Sequence, residues 1–332
     1  MKTHRLKRGM TCAVMAFALT VPGTHAGAST PGSGEIRIQQ VDGARWDMHV
    51  YSQAMGREIP FQLIRPADTS VPRPTLYLLN GAGGGEDGAN WLNQTKILDF
   101  LADKNVNVLI PAEGMFTYYT DWIREDPVVG RAKWQTFLTR ELPPIVDRAL
   151  GTTGINAIAG LSMAGTSVLD LAIHAPGLYR GVASYSGCAQ TSDPMGQAFL
   201  RTVVEVMGET DARNMWGPYD DEEWRRHDPT VNAERLRGIS LYVSNGSGLP
   251  GPYENPMLPR SAQAPELHEQ VLVGGVIEAA TNVCTQRLAE RLAELDIPAT
   301  VHFREEGTHS WGYWEDELKR SWPQIEASLL GS

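Results

Sequence analysis

Residues 155–165 constrain this chain more than any other stretch: they read Ile-Asn-Ala-Ile-Ala-Gly-Leu-Ser-Met-Ala-Gly, a short apolar run entering a tight turn with Ser162 at its apex. The next residues, Thr166 to Ile173, carry the apolar spacing of a buried helix, so the pattern predicts strand, turn, helix. That is the form of a nucleophile elbow, in which a serine held in strained backbone is exposed at the end of a sheet strand. The strain explains the small neighbours, because Gly160 and Ala164 must let strand and helix approach closely. The fifth position is Ala164 where glycine is usual, a departure of one methyl group, and Gly165 follows at once. Gly-x-Ser-x-small also arises in ordinary glycine-rich loops, and the chain has 33 Gly. The flanking strand and helix distinguish the two cases and point to serine acyl chemistry.

The first residues set the compartment. Lys2, Arg5, Lys7 and Arg8 precede an apolar run at 10–21, and Thr24, His25 and Ala26 put small residues near a cleavage point, which together predict a secretory signal peptide at 1–26. The run is about a dozen residues before Pro22 and Gly23, short of the roughly 20 that span a bilayer. Cys12 would leave with the signal, so the exported chain keeps Cys188 and Cys284, an even pair that suggests a disulfide outside the cell. The Gly/Ser/Pro stretch at 27–34 reads as a flexible N-terminus. Of 29 Lys and Arg residues four depart with the signal, leaving 25 against 39 acidic residues and a net charge of −14. Such a surface repels nucleic acid and anionic membrane.

Apolar runs bounded by turn residues recur at Thr75–Leu79, 106–110, 155–159, 181–186, 239–244 and Ala299–Phe303. They read as buried parallel strands. Helical spacing appears between them at Leu138, Leu142, Ile145, Val146 and Ala149, and at Leu288, Leu292 and Leu295. The alternation predicts one α/β domain over 35–332, a doubly wound and mostly parallel sheet with helices on both faces. Ligands then bind at the carboxyl ends of the strands, where Ser162 stands. The stretch 189–238, with Phe199, Leu200, Val203, Val206 and Met207 at helical spacing and Trp216 and Trp224 beyond, reads as an inserted cover. No metal-ligand spacing, nucleotide loop or cofactor motif is recognisable.

A serine needs a base, and in elbow enzymes the chain order is serine, acid, histidine. His174 falls on the helix after the elbow and His302 inside a strand, which suits structural histidines. His309 lies in a loop just after the last strand, from which an imidazole reaches the sheet ends, with His268 in a Pro-rich loop as the second candidate. The acid is less defined. The strand at 239–244 is followed by Asn245-Gly246-Ser247-Gly248 with no carboxylate, leaving Glu254, Glu266, Glu269 and Glu278. Glu278 begins a helical stretch among apolar neighbours, a setting that equally suits an acid favoured by a helix dipole.

Six segments converge on a family. They are Val-Tyr-Ser-Gln-Ala-Met-Gly-Arg-Glu-Ile at 50–59, Leu-Tyr-Leu-Leu-Asn-Gly at 76–81, Tyr-Thr-Asp-Trp at 119–122, Trp-Gln-Thr-Phe-Leu-Thr-Arg-Glu-Leu-Pro at 134–143, Gly-Leu-Ser-Met-Ala-Gly at 160–165, and Gly-Thr-His-Ser-Trp-Gly-Tyr-Trp at 307–314. In order along nearly the whole exported chain, they resemble the secreted mycolyltransferases of antigen 85 type. The glycine-rich loop at 81–88 is similar to the corynebacterial and nocardial branch. The resemblance implies an α/β-hydrolase fold, no cofactor, and transfer of a mycoloyl chain between trehalose esters or onto cell-wall glycan in the envelope. It implies Ser162 as nucleophile, His309 as base and Glu278 as acid, with the Ala82 and Met163 amides as oxyanion hole and Asn80, Gly81 and Trp311 at the substrate. Two positions depart from the family's sugar loop: Asn80 stands for the usual Asp, and Gly83 for an Arg. Trp216, Trp224, Trp311 and Trp314 are expected to supply a cover and a sugar-stacking surface. A secreted carboxylesterase with the same triad and a non-catalytic wall-binding protein are the competing expectations.

Overall fold

The computed structural model describes residues 36–258 and 265–331. The predicted signal peptide at 1–26, Cys12 and the stretch 27–34 lie outside the described residues. Among the described residues nine strands form one sheet: β1 (Ile36–Asp42), β2 (Arg45–Ser52), β3 (Arg57–Ile64), β4 (Thr75–Leu79), β5 (Asn107–Pro111), β6 (Asn156–Leu161), β7 (Tyr179–Tyr185), β8 (Ser240–Asn245) and β9 (Ala299–Phe303). Their spatial order is β1-β2-β3-β5-β4-β6-β7-β8-β9. The six strands from β5 to β9 in this order are parallel, as the apolar runs predicted.

The antiparallel edge β1-β2-β3, which pairs through β3 with β5, is an addition to that expectation. Its signal was period-two alternation: Met48, Val50 and Ser52 of β2, and Ile59, Phe61 and Leu63 of β3, point inward, while Asp47, His49, Tyr51, Pro60 and Gln62 beside them are partly or fully exposed. Asp42-Gly43 closes the first hairpin, with Gly43 at φ 44°.

Two apolar layers sandwich the sheet. In β4, Tyr77 and Leu79 join the layer with Leu142, Val146, Val168 and Leu288, while Leu76 and Leu78 join the layer with Trp91, Leu101, Leu318 and Trp322. Alternate side chains serve opposite faces, so every residue of the strand is buried. Each such Leu contributes about 1.5–3 kcal/mol by leaving water.

The helices are α1 (Trp91–Gln94), α2 (Ile97–Leu101), α3 (Trp134–Thr136), α4 (Leu142–Leu150), α5 (Met163–His174), α6 (Pro194–Arg201), α7 (Ala212–Trp216), α8 (Glu222–Arg226), α9 (Leu267–Glu294) and α10 (Trp311–Leu330). Proline in the first turn of α4 and Gly151 at φ 62° after its end are start and stop signals that a single sequence carries.

Helices α6 to α8 occupy the predicted insertion between β7 and β8. The apolar stripe there is only half inward: Leu200 and Val203 are buried, whereas Val206 is 73% and Met207 51% exposed. A π-helical turn at Thr202–Met207 changes the residues per turn and rotates the stripe out of phase. Trp216 and Trp224 form the core of the insertion, edge to face at 5.3 Å and almost fully buried. The Trp216 indole donates to Thr120 Oγ1 and that of Trp224 to the Gly217 carbonyl. The expectation that these two rings present a sugar-stacking surface is therefore corrected: both are consumed in packing.

Candidate active site

The chain reverses direction across the sheet at β4, which lies between β5 and β6, and the crevice at such a switch point is where this architecture binds ligands. Ser162 follows β6 at that end, with φ 55° and ψ −123°, a conformation that costs of order 1–3 kcal/mol for a side-chain-bearing residue. Its amide donates to the Tyr185 carbonyl at 2.8 Å, and its carbonyl accepts from Gly165 at 2.9 Å. A Cβ on Gly160 would lie 2.8 Å from the Ala164 Cβ, so glycine on one side makes room for the alanine methyl on the other.

His309, in the loop after β9, brings its Nε2 to 2.8 Å from Ser162 Oγ. Its Nδ1 lies 2.7 Å from Glu278 Oε2. An ionised carboxylate only accepts, so Nδ1 carries the proton, and Nε2 accepts from the serine hydroxyl. The imidazole is fixed from two further sides: its backbone amide donates to the Gly274 carbonyl at 3.1 Å, and Trp314 meets the ring edge to face at 4.9 Å.

Glu278 is completely buried. It does not begin a helix, as the sequence suggested, but sits about three turns into the 28-residue α9. A helix-dipole account of this acid is thereby removed, since that effect fades within the first turn. Oε1 accepts from Ser186 Oγ at 2.8 Å, the Gly246 amide at 2.6 Å and Arg304 Nη2 at 3.0 Å. The carboxylate fills the space after β8 that Asn245-Gly246 leaves without an acid of its own. Ser186, at φ 53°, in turn accepts from the Trp314 indole at 3.0 Å. Arg304 reaches on to the buried Glu317 at 3.3 Å.

The other candidates have separate duties. Glu254 accepts from Thr308 Oγ1 and Tyr313 Oη, both at 2.5 Å, and from Gly251 N and Gln270 Nε2, each at 2.7 Å. Burial raises its pKa, but these donors prevail and hold it below the usual glutamate value. Its role is to anchor the loop that carries His309. Glu266 and Glu269 are exposed at the start of α9, and His268, expected in a loop, is exposed on that helix's first turn. His302 pairs with Glu317 at 2.9 Å.

Of the predicted substrate residues, Gly81 packs on the elbow: a Cβ there would lie 2.8 Å from Leu161 Cδ1 and 3.3 Å from Ser162 Cβ. This brings the backbone entering Ala82 alongside the serine, and the Ala82 carbonyl accepts from Phe116 at 2.8 Å. Met163 is the first residue of α5, its amide at the helix N-terminus. Asn80 is corrected: it is fully buried, its amide donating to the Pro111 carbonyl at 2.8 Å and its oxygen accepting from Trp91 N at 3.2 Å. It shapes the loop and offers nothing to a sugar. At Gly83 an added Cβ would lie 2.2 Å from Asp87 Oδ2, so the glycine leaves space for that carboxylate. Trp311 is partly exposed, edge to face with Trp91 at 5.6 Å and Trp314 at 5.3 Å.

Cys188 and Cys284 are bonded, with Cα atoms 5.0 Å apart, and join the end of β7 to α9 six residues past Glu278. Ser186, Gly246 and Arg304 are the site residues that motif reasoning missed. Their one sequence signal was position, since all three follow the carboxyl ends of strands.

Comparison with known proteins identifies the family. The esterase family described as "Putative esterase" matches residues 52–325. The diacylglycerol acyltransferase/mycolyltransferase Ag85A of Mycobacterium leprae is 32% identical over 291 residues, 85% of this chain and 82% of that one. Among solved structures, Mycobacterium tuberculosis MPT51 superposes with a TM-score of 0.68 at 24% identity, covering 85% of this chain and 97% of that one. An S-formylglutathione hydrolase from Agrobacterium tumefaciens gives 0.64 at 16% identity, with 89% and 99% covered. These last two likenesses show the α/β-hydrolase fold. On the family match and the Ag85A identity together, the chain belongs to the esterase family that includes the Ag85-type mycolyltransferases.

Proposed function

We propose that this protein is a secreted serine acyltransferase that moves a mycoloyl or similar long acyl chain between trehalose esters or onto cell-wall sugar. Ser162 is the nucleophile, His309 the general base and Glu278 the acid that holds the imidazole. The observation carrying this reading is the unbroken hydrogen-bonded line from Ser162 Oγ through His309 to Glu278, with steps of 2.8 and 2.7 Å. His309 takes the hydroxyl proton as Ser162 attacks the ester carbonyl, and the Ala82 and Met163 amides receive the oxyanion, each donor worth on the order of 3 kcal/mol. The proton passes to the departing sugar alkoxide, leaving an acyl-serine. A second alcohol, deprotonated by His309, then attacks that ester, and His309 returns the proton to Ser162 Oγ as the acyl–serine bond breaks.

Exposed apolar side chains on the elements that hold the triad support a long acyl chain. Leu272, Val273 and Val276 of α9 are exposed around Gly274, whose carbonyl holds His309. Exposed Val206 and Met207 precede Gly208, which packs on Phe116, whose amide bonds the Ala82 carbonyl. The absence of a polar arm at Gly83 and the burial of Asn80 favour a second reading, an esterase that passes the acyl group to water. Incubating the protein with an acyl donor and rising trehalose, and following new ester and free acid together, separates the two. Ester formation that overtakes hydrolysis as trehalose rises supports transfer; free acid dominant at every concentration supports the esterase.

A further inference from the structure

A second cluster of ligand-type side chains, two of them buried and His174 partly exposed, lies where the 189–238 insertion meets the helix that leaves the elbow. Asp170 and His174 are four residues apart near the end of α5, so they share one face. His227 follows α8 in the insertion. His227 Nδ1 lies 2.8 Å from Asp170 Oδ2, and His174 Nδ1 lies 3.0 Å from Asp170 Oδ1. The three ligand atoms fall within 4.8 Å of one another.

The setting is built rather than incidental. The imidazoles stack at 4.7 Å, and the His227 ring lies parallel on buried Trp216, also at 4.7 Å. Asp170 is 5% and His227 7% exposed. His174 Nδ1 bonds the Asp170 backbone carbonyl at 3.0 Å and stands equally far from Asp170 Oδ1, which makes no hydrogen bond of its own. On the far side of His227, Nε2 lies 3.9 Å from Glu223 Oε2, beyond hydrogen-bond distance.

We propose that Asp170, His174 and His227 bind one zinc-class divalent transition-metal ion, with water as the fourth ligand, fastening the insertion to α5. Two nitrogen donors and one carboxylate suit such an ion and not calcium or magnesium, which take oxygen ligands. An ion about 2.0–2.2 Å from each atom sets the three ligand atoms about 3.3 Å apart; they now lie within 4.8 Å of one another, so the side chains close around the ion by rotation. Asp170 is eight residues along the helix from Ser162, about 12 Å, which makes the site structural and independent of the acyl-transfer reading.

The test uses the exported chain without a histidine tag, stripped with EDTA and titrated with Co²⁺ or Zn²⁺. The expected result is one bound ion per chain, visible absorption from tetrahedral Co²⁺ that Zn²⁺ abolishes, and a melting temperature about 5 °C higher at a hundredfold excess over Kd. His174→Ala and His227→Ala should lose the absorption and the shift while still cleaving a simple ester, which reports that they are folded. Absence of Co²⁺ absorption and bound zinc in the wild-type protein overturns the proposal, whether or not the variants fold. So does equal binding by wild type and both folded variants.

Discussion

Replacing Glu278 with Gln is the sharpest perturbation of the proposed site, because it keeps the shape and changes only charge and donor pattern. The carboxylate accepts four hydrogen bonds, three at Oε1 and one at Oε2. A glutamine has one oxygen to offer. If its NH₂ took the Oε1 position it would face the Gly246 amide and Arg304, neither of which can accept, at a cost of about 1–3 kcal/mol for each orphaned donor. Its oxygen therefore stays there and the NH₂ turns to His309. The imidazole must then present an unprotonated Nδ1, which moves its proton to Nε2, opposite Ser162. A base in that tautomer cannot take the serine proton, and in a serine triad the corresponding exchange lowers kcat about 10⁴-fold, or about 5 kcal/mol. Arg304 keeps Glu317 at 3.3 Å, so the fold should survive with a loss of about 1–3 kcal/mol. The assay is steady-state cleavage of a simple ester beside a thermal melt. A folded Glu278→Gln protein within tenfold of the wild-type kcat refutes the assignment.

Gly81→Ala would press a methyl against Leu161 and Ser162 and displace the adjoining Ala82 amide; kcat should fall about 10²- to 10³-fold with little change in stability, as kinetics and melting would show. Replacing both Cys188 and Cys284 with Ser opens a loop of sequence separation 96, which should cost about 4–5 kcal/mol in guanidinium unfolding; a change under about 1 kcal/mol contradicts the loop-entropy reasoning. Because the pKa of Glu254 is depressed in the folded state, its contribution is full above the unfolded glutamate value and is lost as pH falls through the lower folded one. Wild-type stability should therefore fall over that acid range relative to Glu254→Gln, and parallel stability curves for the two would count against the role given to Glu254.

Ser162 and His309 were legible because each is marked locally, one by strand-turn-helix and the other by its place after the last strand. The parallel strands were legible for a related reason: burial on both faces leaves continuous apolar runs. Glu278 was legible only through the family resemblance, since nothing within α9 marks which carboxylate meets the sheet; the tertiary gap after β8, lined by Gly246, Ser186 and Arg304, is what selects it. Asn80 was misread because a polar residue beside a glycine loop looks available, whereas the chain folds its amide into the loop. Trp216 and Trp224 show the same limit. An aromatic residue reads alike in a binding surface and in the core of an insertion until its neighbours are known.

The central claim is a covalent acyl-serine at Ser162, and trapping it tests that claim most directly. The protein is mixed briefly with a fast-leaving acyl ester, quenched in acid, and weighed intact and as peptides. A single added acyl mass on the peptide bearing Ser162, absent from Ser162→Ala, is the predicted result. Turnover of the same ester by wild type with no adduct, or an adduct that persists in Ser162→Ala, would contradict it.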